Sequence, residues 1–249
     1  MKVMTFNLRY DNTTDGYNQW SLRKEAMLKM IQDHKADVIG TQECTQVIFD
    51  YLQAHCDDYI SVGDGRNADL SGERCAILIK ASHYDLLETE TVWLNGNFNL
   101  AGDMDKKEGF ARICTMALVQ NKKTGQKIRI FNAHLAFQSK STIRRNGRYL
   151  YLYIQQFKKT KIPFVLLGDF NSPITHPIHT RLLRKFKEAY TELKVDRPNT
   201  FHAFGIPNGI EAIDFIYTDK LSFKNVLTDI RLIEGHYPSD HYPVIAELL

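Results

Sequence analysis

Leu166-Leu167-Gly168-Asp169-Phe170-Asn171-Ser172 is the stretch on which the reading of this chain turns. A strand-like apolar run, Pro163 to Leu167, stops at glycine and then sets a carboxylate and a carboxamide two residues apart. Strand side chains alternate faces, so an extended path would aim Asp169 and Asn171 the same way. An anion and a neutral donor–acceptor would then stand together at the carboxyl end of a buried strand, where α/β sheets bind ligands. Gly-Asp and Asn-Ser are also ordinary turn chemistry. The stretch gains its meaning from other apolar runs that end in the same way.

Those runs are Val3 to Phe6, Val38 to Thr41, Tyr59 to Val62, Ala76 to Ile79, Cys114 to Val119, Ile128 to Asn132, Phe164 to Leu167, Ile213 to Tyr217, Val226 to Ile233 and Val244 to Leu248. Between them, Leu22, Ala26, Met30 and Ile31 share a helical face, with Ser21 as the expected N-cap. A second helix is expected from Ser141 to Lys159, with Leu150, Ile154 and Phe157 inward, and a shorter one over Ile178 to Leu183. Many strands mixed with few helices predict one α/β domain over residues 1–249 built on sheet-to-sheet packing, not an alternating Rossmann array. Asn95 to Gly109 and Asp196 to Gly209 are polar and read as long loops of the kind that handle substrate.

Composition narrows the class. At 43% hydrophobic and 24% charged, the 249 residues read as an ordinary soluble globular protein able to bury a core without staples. With 32 basic and 29 acidic residues the net charge is only +3, short of the basic excess usual in a non-specific duplex binder. The clusters Arg144-Arg145 with Arg148, Lys158-Lys159-Lys161 and Arg181 to Lys187 read as solvated helix faces rather than a phosphate track. Cys44, Cys56, Cys75 and Cys114 lack C-x-x-C or finger spacing and read as reduced, idle thiols. The chain opens on strand residues, so no signal peptide is expected, and no run approaches the ~20 apolar residues of a membrane span. A cytoplasmic protein with no membrane anchor is the expectation, and no protein partner is evident.

Six strand endings carry the chemistry: Phe6-Asn7-Leu8-Arg9, Gly40-Thr41-Gln42-Glu43, Phe131-Asn132-Ala133-His134, Gly168-Asp169-Phe170-Asn171, Ile213-Asp214-Phe215-Ile216 and Pro238-Ser239-Asp240-His241. Each residue alone has a bland reading as a turn former, loop acid or core histidine. All six at strand ends is a site pattern. Oxygen ligands with imidazoles and no clustered thiolates suit a hard ion, Mg²⁺ or Mn²⁺, better than zinc.

In that order the motifs resemble the endonuclease/exonuclease/phosphatase superfamily, which includes pancreatic deoxyribonuclease, abasic-site endonucleases, inositol polyphosphate phosphatases and neutral sphingomyelinases. The resemblance runs from Asn7 to His241, and Asn18, Trp20, Arg23, Gly65-Arg66 and Gly72-Glu73 look like a bacterial branch of mostly unassigned hydrolases. It implies a four-layer α/β sandwich of the deoxyribonuclease-I type, with two mixed sheets face to face, helices outside and the site at one end. It implies that Glu43 and Asn7 are the principal metal ligands, with Asp240 a nearby carboxylate that helps. Asp169 matches the group that orients or deprotonates water, and Asn171 the group that steadies the phosphate. His241 matches the phosphate-facing imidazole with Asp214 as partner, and His134 a second one, with Glu73 as the acid that would pair with it. Arg9 looks like a phosphate-contacting arginine, and Arg112 occupies a position often basic in that branch.

Two departures bear on substrate. Ala133 stands where many relatives have threonine before the histidine, and no acid follows it. Asn171-Ser172-Pro173 is not followed by the arginine of the inositol phosphatases, and Asp214 lacks their Cys-Asp-Arg setting. The expected function is a divalent-metal-dependent hydrolase of phosphate esters, nuclease-like or acting on a small phosphodiester. The alternatives are a phosphomonoesterase of sugar or inositol phosphates and a catalytically silent binding module on the same scaffold.

Overall fold

In the computed structural model, which describes residues 1–206 and 212–249, two six-stranded sheets pack face to face. The chain order is β1 (Lys2–Asn7), α1 (Trp20–His34), β2 (Val38–Gln42), α2 (Gln46–His55), β3 (Tyr59–Val62), β4 (Ile77–Lys80), β5 (Tyr84–Trp93), β6 (Ile113–Asn121), β7 (Lys127–His134), α3 (Lys140–Gln156), β8 (Phe164–Asp169), α4 (Pro177–Leu183), β9 (Lys187–Glu188), α5 (Ala189–Leu193), β10 (Asp214–Thr218), β11 (Phe223–Thr228) and β12 (Val244–Leu248). One sheet has the order β11-β12-β1-β2-β4-β3 and the other β5-β6-β7-β8-β10-β9. Each sheet holds one parallel pair at its centre, β1 with β2 and β7 with β8, and is otherwise antiparallel.

Three apolar layers follow from strand alternation. Val3, Val38, Ile130, Val165 and Leu167 turn inward and form the core between the sheets, closed at one edge by Ala189 and Tyr190 of α5. The opposite faces, Met4 and Phe6 on β1 and Ile39 on β2, bury Met27, Met30 and Ile31 of α1 and Ile48 and Leu52 of α2. On the far side Phe131, Leu166, Phe215 and Tyr217 pack under Ile143, Leu150 and Ile154 of α3 and Ile178 and Leu182 of α4. The result is the four-layer sandwich expected from the motif order. Gly147 sets how closely α3 and α4 approach, since a Cβ there would lie 2.4 Å from Ile178.

Several local expectations need correction. Helix α1 starts at Trp20 behind Gln19, not behind Ser21; Ala26, Met30 and Ile31 are buried as expected, together with Trp20, Arg23, Met27, Leu28 and His34. Leu22 is turned to solvent. Helix α3 is capped by Ser139, whose hydroxyl accepts from the Thr142 amide while the Thr142 hydroxyl accepts from the Ser139 amide, and it ends at Gln156. β11 stops at Thr228, because Asp229 is drawn into an ion pair with Arg231 and a contact with His34. β5 went unread because four consecutive residues of its middle, Leu87 to Glu90, are exposed and blur the alternation. α2 also escaped, since it follows a site acid almost at once. The loop over Asn95 to Gly109 is present; the end of the other expected loop, 207–209, lies outside the described residues. No helix among the described residues is long and apolar enough to cross a membrane.

All four cysteines are free and buried. Burial pushes the Cys44 thiol up to about 12 and that of Cys56 to about 11, and raises Cys75 and Cys114 further. A thiolate-specific disulfide reagent at neutral pH is therefore expected to modify the cysteines only as the protein unfolds. Rapid labelling of Cys44 in the native protein would contradict this packing.

Candidate active site

The inward rows of the central strands change from apolar to polar toward one end. β1 runs Val3, Thr5, Asn7; β2 ends in Gln42; β7 runs Ile130, Asn132, His134; β8 runs Val165, Leu167, Asp169. A layer of amides comes first. Gln42 Nε2 donates across the sheets to Asn132 Oδ1 at 2.7 Å, and Asn132 Nδ2 donates to the Thr41 and Ala76 carbonyls at 2.8 and 2.9 Å. Above this layer the charged groups meet.

Asn7 links the sheets there. Its Nδ2 donates to Asp169 Oδ2 at 2.9 Å and to Glu43 Oε1 at 3.2 Å, while its Oδ1 accepts from the Arg9 amide. The Tyr10 amide donates to the other Glu43 oxygen at 3.0 Å. Asp169 Oδ1 accepts from the Asn171 amide at 2.8 Å. Gly168 lets β8 come this close to β7, since a Cβ there would stand 2.2 Å from the Ala133 carbonyl oxygen. β8 and β10 then bring Asp169 and Asp214 opposite each other.

His241 lies between these two acids. Its Nδ1 donates to Asp214 Oδ2 at 2.9 Å, and its Nε2 is 3.8 Å from Asp169 Oδ2. Burial disfavours charge on the ring, but Asp214, with help from Asp169 and Asp240, outweighs it and lifts His241 to about 10. His134 is the opposite case. Burial, with Arg112, Arg66 and His241 nearby, holds it well below its ordinary value, so it is a neutral imidazole. Its Nε2 accepts from Asn171 Nδ2 at 2.9 Å, which places the ring proton on Nδ1. The 3.5 Å approach of His134 to Asp169 is therefore not an ion pair. Burial and the charge on Asp214 raise Asp169 above the usual carboxylate range.

A cleft of about 770 Å³ opens over these groups. Arg9, Glu43, Glu73, Arg112, His134, Asp169, Asn171, Asp240 and His241 line it, with Asn7 and Asp214 behind them. The expected site residues are thus brought together, with two differences. Glu73 is committed to Arg66 through a forked ion pair (2.7 and 2.8 Å) and makes no bond to His134. Asn171 does not continue an extended strand; its φ of 47° bends the chain, and the bend brings its side chain to His134. Arg9 also has less freedom than a phosphate anchor needs, because Asp15 takes its Nε and Nη2 at 2.8 Å each. Arg112 is buried between the Phe110 and Phe137 rings and has no ion-pair partner among the described residues.

Sequence reasoning gave no role to Arg66, Phe110, Phe137, Tyr10 or Phe201, which complete the cleft wall. Nor did it find the buried supports. Arg23, fully enclosed, donates to the carbonyls of Leu8, Arg9, Asn18 and Pro238, tying the loop after β1 to the loop that carries Asp240. The Thr200 hydroxyl accepts from the Ile213 and Asp214 amides, and Ser239 Oγ donates to the Asn7 carbonyl at 2.7 Å. Arg23 had a signal in its spacing from Trp20 and Ser239 in the Pro238-Ser239-Asp240-His241 ending, whereas Thr200 had none.

Two groupings could hold a cation. Asp169, Asp214 and His241 place ligand atoms within 4.8 Å of one another, but a protonated His241 already supplies the positive charge there and has no lone pair to give. Glu43, Asp240 and the Asn7 carboxamide form an oxygen set without thiolates. Burial and the neighbouring Glu43 raise Asp240 against the opposing pull of His241, Arg9 and Arg23, so two carboxylates meet at this point. Asn7 lends oxygen to that point only if its amide turns about its terminal bond, which gives up its bonds to Asp169 and the Arg9 amide. This donor set fits a hard divalent ion.

Residues 4–241 match the endonuclease/exonuclease/phosphatase family. The structure is similar to the endonuclease/exonuclease/phosphatase from Bacteroides vulgatus, with a TM-score of 0.90 and 30% identity over 100% of this chain and 98% of that one. It is also similar to a mannosyl-6-phosphatase of Bacteroides thetaiotaomicron, at 0.88 and 25% identity over 100% and 99%. Among curated proteins, the CCR4-Not complex 3'-5'-exoribonuclease subunit Ccr4 of Mycosarcoma maydis is 27% identical over 98% of this chain and 50% of its own length. The chain spans about half the length of that relative or less of the other curated match.

Two outcomes follow from the geometry. Arg23→Met should destabilise the fold by about 3 kcal/mol or more, because several buried carbonyls lose charged donors at once. Urea unfolding measures it, and a loss under ~0.5 kcal/mol would show that water replaces the guanidinium. His241 rises from 6.5 in the unfolded chain to about 10 when folded. Its contribution is complete below about pH 6.5 and is lost as pH climbs through 10. The stability gap between the wild type and His241→Gln should shrink across that interval, and a gap that widens with pH would reverse the charge assignment.

Proposed function

The chain belongs to the endonuclease/exonuclease/phosphatase family, whose chemistry is phosphoester hydrolysis, and from that premise we propose that it is a divalent-metal-dependent phosphodiesterase. The observation that carries the choice of diester is the charge state of the cleft. Arg9 is neutralised by Asp15, Arg66 by Glu73 and His241 by Asp214, which leaves Arg112 as the uncommitted guanidinium among the described residues. One free cation matches the single negative charge of a diester better than the near-dianion of a monoester at neutral pH.

The residues divide the work as follows. Asp169, anchored by the Asn171 amide and the Asn7 carboxamide, is the base for the attacking water; its raised affinity for protons suits that task near neutral pH. His241 is fixed through Nδ1 by Asp214, so its Nε2 proton faces the cleft, where it donates to a phosphoryl oxygen as charge develops. Arg112 holds a non-bridging oxygen, and Asn171 and neutral His134 complete the polar wall. Glu43, Asn7 and Asp240 would hold Mg²⁺ or Mn²⁺, which when bound withdraws charge from the phosphate and acidifies water.

The likeness to a mannosyl-6-phosphatase favours a second reading, a sugar phosphate monoesterase. The decisive assay compares bis(p-nitrophenyl) phosphate with p-nitrophenyl phosphate and mannose 6-phosphate in the presence of Mg²⁺ or Mn²⁺. The diester is expected to give the higher kcat/KM; a monoester preference would hand the site to the second reading. Asp169→Asn should cut turnover ~10²–10⁴-fold. His241→Ala should cut it ~10²–10³-fold with metal affinity nearly intact, and Asp214→Asn added to it should cost little more because the two act as one unit. An unchanged rate per folded His241→Ala molecule would refute the mechanism.

A further inference from the structure

A second concave surface, an open groove of about 880 Å³, lies between α3 and α4. Arg144, Arg145 and Arg148 come from α3, Arg181 from α4 and Arg184 from its carboxyl end. No acidic residue lines it. Arg145 pairs with Asp105, but the other four have no carboxylate partner among the described residues. Arg144 and Arg148 stand one turn apart on the same helix face, where like charges repel. The chain as a whole carries only +3, so this concentration is local. Solvated helix faces, the reading the sequence suggested, normally intersperse acids with bases; this one does not.

The groove also adjoins the catalytic cleft. Pro173 lines the cleft and Thr175 the groove, so the two rims are at most ~7 Å apart along the chain. On the other wall Phe137 belongs to the cleft and Ser141 to the groove. We propose that the Arg144–Arg148–Arg181–Arg184 groove holds the phosphates of a single-stranded nucleic acid whose scissile phosphate lies over Asp169. This rests on the diesterase reading and names its substrate class.

Guanidinium groups in a furrow follow successive phosphates and carry no base preference, and half-buried Tyr149 lines the groove wall beside them. A lipid surface fits less well. The site is a furrow, and none of the large exposed apolar side chains lines it to insert into a bilayer.

The test uses the triple variant Arg144→Gln/Arg148→Gln/Arg184→Gln, all at exposed positions. Hydrolysis of bis(p-nitrophenyl) phosphate, which cannot reach the groove, should be unchanged. Binding of a fluorescent single-stranded oligonucleotide, measured by anisotropy on an Asp169→Asn background, should weaken at least 10-fold. Its log–log salt slope should fall by about 2, at ~0.7 per lost phosphate contact. Equal oligonucleotide affinity with and without the arginines would overturn the proposal, as would a parallel loss of small-diester turnover. Wild-type protein that binds anionic phosphatidylserine vesicles through these arginines but not the oligonucleotide would overturn it too. If the small diester is not hydrolysed by wild type, the diesterase reading fails by itself, while the binding measurement still decides whether the groove takes nucleic acid.

Discussion

The site depends on a single buried imidazolium. Asp169 and Asp214 are both almost inaccessible and sit opposite each other on neighbouring strands, an arrangement that desolvation and mutual repulsion oppose. His241 makes it tolerable by binding Asp214 directly and standing close to Asp169. It arrives from the loop before β12, in the other sheet, so the same charge that neutralises the pair also pins the two sheets at this end. Loss of that charge leaves two acids buried together, which is why positioning and stability cannot be separated here.

Beneath the charges, the strands prepare the transition from dry core to reactive cleft. Val3, Thr5 and Asn7 on β1, and Ile130, Asn132 and His134 on β7, show the same gradient on opposing sheets. The amides of Gln42 and Asn132 lie between, close enough to satisfy one another and neutral enough to be buried at moderate cost. A carboxylate one layer lower would meet Val165 and Val38 and have no partner. The parallel pairs at the centre of both sheets are what bring four such carboxyl ends to one place.

Much of this was legible because alternation and strand ends are local properties. Asn7, Glu43, His134 and Asp169 could be singled out without knowing which strands pair, since each closes or follows an apolar run, whereas Asp214 opens β10 and Asp240 and His241 lie in the loop before β12. Asn171 was found for an incomplete reason: it reaches the site through a left-handed bend, not through continued alternation. Arg66, Phe110 and Phe137 were not assigned, because a loop residue becomes a wall residue only when the loop's path is known. Glu73 was assigned to the wrong partner for the same reason, since Arg66 competes for it. The basic clusters were visible as composition, but only the packing of Gly147 against Ile178 turns two helix faces into one groove.

Backbone conformation adds a last constraint. Arg9, Glu43 and Asn171 all have positive φ, at 54°, 56° and 47°, and each follows the end of a different strand, β1, β2 and β8. For side chains other than glycine or asparagine this region costs about 1–3 kcal/mol. Each bend is held by a specific bond: the Arg9 amide on Asn7, the Tyr10 amide on Glu43, the Asn171 amide on Asp169. The acceptors of these bonds are the candidate catalytic and metal-binding groups themselves. Backbone donors that orient Glu43 and Asp169 before substrate arrives are therefore the same donors that stabilise the strained turns. Strain and preorganisation are coupled, and a glycine at Arg9 or Glu43 would relieve the first only by loosening the second.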